Sequence, residues 1–213
     1  MMKRLLSLWL LSAPALAYTP GIGYPQTTFA SLPAAASNTG KVYLVTDVCN
    51  GSLWYSTGTR YKLVNGRCIL SSSAVSASIT GTLTETTLAT VTVPANVLGT
   101  NGQLAITSGW SHTNSANTKT LRVRYDGAGG TAFSSFALTT AATSRVYTTI
   151  QNRNATNSQG GVGGGVTFGT SSSTAVTASV DTTAATTLAL TGQLSNTGET
   201  ITLESATVEL ITP

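Results

Sequence analysis

The chain has 213 residues, of which 8% are charged, and a formal net charge of +4. Disordered chains combine low hydrophobicity with high net charge, and 41% hydrophobic content with this charge argues against that class. Hydroxyl and amide side chains supply the polarity instead, which suits repeated β structure and stable oligomers. The basic residues are scattered rather than clustered, so we expect no nucleic-acid partner.

The first 17 residues have the pattern of a secretory signal peptide. Lys3 and Arg4 precede a short apolar run, and an Ala-x-Ala motif ends at Ala17. Cleavage would fall between Ala17 and Tyr18. The apolar run is shorter than the ~20 residues that a membrane-spanning helix needs. The alternative is an uncleaved hydrophobic arm that packs against a neighbour in an assembly.

Residues 18–40 are predicted to form an extended N-terminal arm rather than a packed element. They contain Pro20, Pro25 and Pro33, and the residue before a proline is driven into an extended conformation. Arms of this kind often dock a protein onto a larger body.

Residues 41–70 are predicted to form a small β meander. Asn65-Gly66, near its end, is the strongest short hairpin signal. We expect Cys49 and Cys68 to form a disulfide, which would staple a unit too small to be stable alone. Two buried free thiols are the alternative. The predicted strands are 41–46, 53–56, 60–64 and 67–70.

Residues 71–81 are predicted to be a linker that can pair as a strand or form a shaft, and residues 82–213 an antiparallel β-sandwich or jelly roll. In the second region short runs of alternating apolar and polar residues are separated by turn residues. The glycine-rich residues 154–173 are predicted to form a long flexible loop. The predicted strands are 86–93, 103–113, 120–125, 132–139, 145–151, 174–180, 186–191 and 199–211.

Few residues are available for an active site. His112 is the only histidine, and its place on the Trp110 face of a strand favours a structural role. No spacing pairs two carboxylates for glycoside hydrolysis, and no Gly-x-Ser-x-Gly elbow is present. Two cysteines and one histidine cannot complete a four-ligand zinc site without carboxylates. We therefore expect no enzymatic activity, no catalytic residues, no metal and no cofactor.

Five residues are candidate surface contacts. Trp54, Tyr55 and Tyr61 cluster in the small unit, and exposed aromatic rings can stack on sugars or anchor a protein interface. Alternation places Trp54 and Tyr55 on opposite faces of a strand, so at least one of them belongs to the core. Arg122 and Arg124 share the polar face of another strand.

Several segments resemble structural proteins of tailed bacteriophages. The first two resemble a small β module that is common in these proteins, and the other three resemble the knob of phage fibre and head-appendage proteins. The resemblance covers roughly residues 31–212. The segments are 31–47, 51–66, 87–104, 110–127 and 150–154.

The resemblance implies a homotrimeric fibre or capsid-decoration protein with a C-terminal jelly-roll knob on the virion surface. Its N-terminal arm would bind capsid or tail proteins, and its tip would contact a host-surface glycan or protein. A charge-poor β surface is consistent with a threefold interface between identical chains. The alternative is a secreted, extracellular bacterial adhesin or carbohydrate-binding module, a β-sandwich with a cleaved signal peptide and one disulfide.

Overall fold

The computed structural model describes residues 23–164 and 175–213, and their fold is all-β, as predicted. The signal-like leader, the cleavage position at Ala17 and Tyr18, and residues 165–173 of the predicted loop lie outside the described residues. Within the described ranges no helix is long and apolar enough to cross a membrane. The helical segments there are the short 3-10 turns Phe29–Ser31 and Ala35–Asn38.

Fifteen strands are described in these residues. They are β1 Gln26–Thr27, β2 Val42–Val45, β3 Ser52–Ser56, β4 Tyr61–Leu63, β5 Arg67–Ser73, β6 Ala77–Thr80, β7 Thr86–Val93, β8 Gln103–His112, β9 Lys119–Tyr125, β10 Thr131–Leu138, β11 Thr143–Asn152, β12 Gln159–Gly164, β13 Val176–Ala178, β14 Thr186–Leu194 and β15 Thr200–Ile211.

Two antiparallel sheets form a sandwich. One has the order β10-β9-β14-β7, and the other the order β13-β12-β11-β8-β15-β5, with β6 also paired to β15. Alternation along each strand turns one row of side chains into the shared core and the other row outward. The inward rows of the two central strands are buried as the sequence predicts: Leu104, Ile106, Ser108, Trp110 and His112 of β8, and Leu121, Val123 and Tyr125 of β9.

A small separate sheet has the order β1-β2-β3-β4, with β1 parallel to β2. The arm was predicted to be extended and unpacked from residue 18 to residue 40, and for residues 26–38 this is wrong. Gln26 and Thr27 pair with the free edge of β2, and the Phe29 ring packs edge-on against Trp54 with the ring centroids 4.8 Å apart. Edge hydrogen bonds and aromatic burial therefore hold this part of the arm on the small sheet.

Strand β5 was predicted to complete the small meander, but it belongs to the sandwich. It pairs antiparallel with β15, and β6, in the predicted linker, pairs with the other half of β15. The reason is length: β4 has three residues and β15 has twelve, so β15 satisfies many more backbone groups of β5 and β6.

The small sheet is fastened to the sandwich at the end of β15. A disulfide joins Cys49, in the loop between β2 and β3, to Cys68 of β5. The Leu63 amide donates to Thr212 Oγ1 at 3.0 Å, and the Thr212 amide donates to the Gly66 carbonyl at 2.8 Å. The disulfide and the hydrogen bonds of Thr212 thus connect the small sheet to the sandwich.

The glycine-rich run was predicted to be a flexible loop, and residues 159–164 of it instead form β12, between β11 and β13. A Cβ atom added at Gly161 would lie 2.2 Å from the Thr149 carbonyl oxygen and 2.5 Å from a ring carbon of Phe133. Glycine therefore lets this strand approach its neighbours closely. At its start the buried Gln159 side chain donates to Asn152 Oδ1 at 2.9 Å and accepts the Val180 amide at 2.8 Å.

We expect Gly161→Ala to lower the free energy of unfolding by about 1–3 kcal/mol, because the new methyl group overlaps the core. Urea denaturation monitored by tryptophan fluorescence measures the change. Gly129→Ala is the matched control, since an added Cβ there meets nothing within 4 Å. Equal stability of the two variants would contradict the close approach of β12.

Candidate functional site

The aromatic residues of the small sheet mostly serve its own packing. Trp54 is completely buried, and its Nε1 donates to Ser52 Oγ at 2.8 Å, so it is a core residue and not the surface contact that the sequence suggested. Tyr55, on the opposite face of β3, is partly exposed, as alternation requires. Of this pair, only Tyr55 can reach a partner without unfolding.

Tyr61 lines a groove between the small sheet and the sandwich. Its ring packs edge-on against Tyr43 at 5.8 Å, and burial raises the pKa of its hydroxyl. The groove encloses about 470 Å³, with Phe29 and Arg60 on one side and Pro94 on the other. Tyr61 is therefore part of the wall that joins the two units.

Arg122 and Arg124 form an ion-pair cluster on the outer face of the four-stranded sheet. Glu85 accepts from Arg124 Nε at 2.6 Å and from Arg122 Nη1 at 3.0 Å, and it also accepts from the Thr191 hydroxyl. The hydrogen bond from Arg124 is the main reason why the pKa of Glu85 lies below its usual range. The two guanidinium groups are thus held by one carboxylate and act mainly as a structural clamp.

A second outward surface, not foreseen as a site, lies on the seven-stranded sheet. Arg145 and Tyr147 project from β11, and the Tyr147 side chain is 48% exposed. Arg145 is opposite Gly109 of β8, which is opposite Ser205 of β15. The missing side chain at Gly109 leaves a shallow depression that is bordered by Arg145 and Glu204.

A bulge in β15 gives this surface its carboxylate. The register against β8 shifts between Leu203 and Ser205, and both Glu204 and Ser205 are exposed. Ser111 donates its hydroxyl to Glu204 and fixes the carboxylate beside the depression. We call the outward side chains of Arg145, Tyr147 and Glu204 the β11–β15 face.

Hydroxyl groups surround the β11–β15 face. Thr107 lies opposite Tyr147, and cross-strand hydroxyl pairs join Ser72 to Thr207 at 3.2 Å and Ser78 to Thr202 at 2.8 Å. Such a surface offers an aromatic ring for stacking, a guanidinium donor and a carboxylate acceptor on a rigid sheet. Alternation in the predicted strand 145–151 already separates Arg145 and Tyr147 from the core row, so this part of the site was readable from the sequence.

A buried polar cluster closes the end of the sandwich where β15 begins. Lys119 is fully buried, and its Nζ lies 3.0 Å from Ser115 Oγ and 3.7 Å from Glu199 Oε2. Asn117 Nδ2 donates to Glu199 Oε1 at 3.0 Å. The hydroxyl of Ser115, which also donates to the carboxylate, is the main reason why the pKa of Glu199 lies below its usual range.

His112 borders this cluster with 8% of its surface exposed. Neither ring nitrogen has a hydrogen-bond partner among the described residues. Burial lowers the pKa of His112, the Lys119 charge lowers it further, and the nearby Ala141 backbone opposes them only in part. The neutral ring is thus the form that the folded protein accommodates.

No protein-family model and no curated protein matches this chain. A solved structure of the infectious bursal disease virus Gx strain is similar at 11% identity and a TM-score of 0.35, over 75% of this chain and 41% of that one. The CBM2 module of the evolved Dit of Lactobacillus casei BL23 phage J-1 is similar at 13% identity and a TM-score of 0.31, over 58% of this chain and 69% of that one. This chain spans less than half the length of the viral chain.

We expect the protein to lose stability as the pH falls below 6.5, the ordinary pKa of histidine. The pKa of His112 is lower in the folded state than in the unfolded state, so the unfolded chain binds the proton more readily. A fall in pH therefore stabilises the unfolded state relative to the folded state. Because only one proton is bound, the free energy of unfolding falls by at most about 1.4 kcal/mol per pH unit.

The measurement is urea denaturation at several pH values between 7.5 and 5.5. In His112→Gln the free energy of unfolding should change less over this interval, whatever its absolute value. An equal slope in the wild type and the variant would assign the pH dependence to other groups.

Proposed function

We propose that this chain is a structural protein of a virion surface, a head or tail fibre or decoration appendage, that attaches the particle to the host. The observation that carries the attachment role is the exposed β11–β15 face of Arg145, Tyr147 and Glu204 on the central strands of a rigid sandwich. The resemblance of residues 31–212 to phage appendage proteins supports the virion setting.

The chemistry of the β11–β15 face fits a glycan better than an apolar protein surface. One sugar ring of a glycan can stack on the exposed side of Tyr147, while hydroxyl groups elsewhere on the glycan accept from Arg145 and donate to Glu204. The three residues lie on β11 and β15, which both pair with β8, so little backbone conformational entropy is lost when a ligand binds. A host protein whose surface is rich in polar side chains could make the same kinds of contact with this face.

The remaining partners follow from the same proposal. The N-terminal arm binds capsid or tail proteins, and copies of the chain associate as a homotrimer. The sandwich and its small sheet then form the part that projects from the particle, so the protein lies on the virion surface.

The second candidate is a secreted β-sandwich adhesin or carbohydrate-binding module. The disulfide between Cys49 and Cys68, together with the signal-like residues 1–17, favours it, because disulfides persist mainly in exported proteins. Both candidates use the same face for attachment, and they differ in where the chain is found.

We expect Tyr147→Ala to weaken binding to host cells or to the recognised glycan by about tenfold, the equivalent of one lost stacking contact. Labelled full-chain protein, titrated on cells and on immobilised glycans, gives the affinity. Tyr24→Ala is the control, since Tyr24 has a similar exposure of 40% but lies in the N-terminal arm. Equal binding by the wild type and Tyr147→Ala would exclude this face as the contact.

The virion setting has a separate test. Mass spectrometry of gradient-purified particles should detect peptides of this chain in fixed proportion to the capsid protein, and gold-labelled antibodies should mark the particle surface. Absence from particles, with soluble protein that begins at Tyr18 in the medium, would instead establish the secreted alternative.

A further inference from the structure

Two opposite charges flank the depression above Gly109 without pairing with each other. Arg145 of β11 and Glu204 of β15 are both exposed, and both border the depression. Gly109 lies between them on β8, opposite Arg145 on one side and opposite Ser205 on the other. The backbones that carry the two charges are thus two strand spacings apart, about 10 Å. Among the described residues no ion pair joins Arg145 to Glu204.

Both charged groups keep bonding capacity for a ligand. Ser111 donates its hydroxyl to one oxygen of Glu204, and the other oxygen has no partner in the part of the chain that the structure describes. The guanidinium group of Arg145 has neither an ion pair nor a hydrogen bond to another described residue. Arg124, on the other sheet, differs in this respect because Glu85 already holds its guanidinium group.

The depression is large enough for a small ligand. It encloses about 580 Å³, and small-molecule sites typically have roughly 300–1,000 Å³. A Cβ atom added at Gly109 would lie 3.0 Å from Ser205 Oγ, so a larger residue there would fill the floor. Tyr147 is two residues from Arg145 on the same side of β11, which places an exposed ring beside the charged pair.

We propose that the ligand of the β11–β15 face is a zwitterionic glycan, one that carries an anionic group and a free amino group on neighbouring sugars. Arg145 binds the anionic group through parallel hydrogen bonds, Glu204 binds the ammonium group, and a sugar ring stacks on Tyr147. This inference rests on the proposed attachment function and names the class of glycan that the face selects.

The two charges select against the other classes of glycan. An anionic glycan is attracted by Arg145 and repelled by Glu204, and a cationic glycan meets the reverse. A neutral glycan forms no ion pair with either residue. Only a glycan with both signs of charge gains at both positions, and repulsion of the wrong ligands adds to the specificity. Because the groups are exposed, we expect a preference of about tenfold rather than several orders of magnitude.

The test uses two pairs of tetrasaccharides, and the members of each pair differ only in their N-acetyl groups. The hyaluronan tetrasaccharide is anionic, and removal of its acetyl groups makes it zwitterionic. The tetramer of N-acetylglucosamine is neutral, and removal of its acetyl groups makes it cationic. Isothermal titration of the full chain, at a mildly acidic pH that keeps the sugar amines protonated, gives the affinities. The zwitterionic tetrasaccharide should bind about tenfold more tightly than each of the other three.

Two variants that each remove one charge identify the residues responsible. In Glu204→Gln the zwitterionic and anionic tetrasaccharides should bind equally, and in Arg145→Gln the zwitterionic and cationic ones should. Glu209→Gln and Arg67→Gln are the matched controls, because these residues lie on the same sheet but do not border the depression. None of the four side chains is buried, so far-UV circular dichroism should stay unchanged.

Any order of affinities in which the zwitterionic tetrasaccharide is not bound most tightly would overturn the inference, and so would its failure to bind. A preference that survives both glutamine variants would also overturn it. The attachment function is read separately on host cells. Cell binding that Tyr147→Ala weakens keeps that function even where the inference fails, whereas equal cell binding by the wild type and Tyr147→Ala excludes the face itself.

Discussion

The pairing of β15 along both of its sides is the constraint on which the structure depends. One side runs against β8 from Ile201 to Ile211, and the other holds β6 and then β5. Every backbone group in the middle of a sheet needs such a partner, because an unpaired buried N–H or C=O costs about as much as a lost hydrogen bond. The buried Lys119 cluster closes the start of this strand, and the small sheet is fastened to its end through Thr212.

In this arrangement the inner surface of the seven-stranded sheet forms the core, and its outer surface carries polar side chains. The inward row of β15, with Leu203, Val208 and Leu210, is buried in the core. The bulge after Leu203 turns Glu204 outward without disturbing that row. The Glu204 side of the β11–β15 face therefore lies directly on the strand that stabilises the fold, while its exposed side chain stays outside the core.

Most strands could be predicted because alternation is a local signal. The positions of β8, β9 and β14 and the burial of Trp110 and Tyr125 follow from period two and from turn residues alone. The contacts that the sequence did not predict join residues that are far apart along the chain. Nothing near residue 67 indicates that β5 pairs with residues 206–211, and nothing near Arg124 indicates that Glu85 will bind it. The glycine run was wrongly predicted to be a loop, because glycine favours both flexible loops and strands that approach their neighbours closely. Only the positions of Phe133 and Thr149 in the structure show that close approach is the reason here.

The pairing of β5 with β15 also has a consequence for synthesis of the chain. Residues 67–80 leave the ribosome long before residues 200–211, which are their only neighbours in the described part of the sheet. During translation the early strands, whose only charged residue is Arg67, must stay unpaired while the later strands are made. The small sheet can fold during this interval, but its anchorage needs Thr212, which follows β15. Synthesis of β15 and Thr212 is thus the event that lets the early strands and the small sheet reach their final contacts.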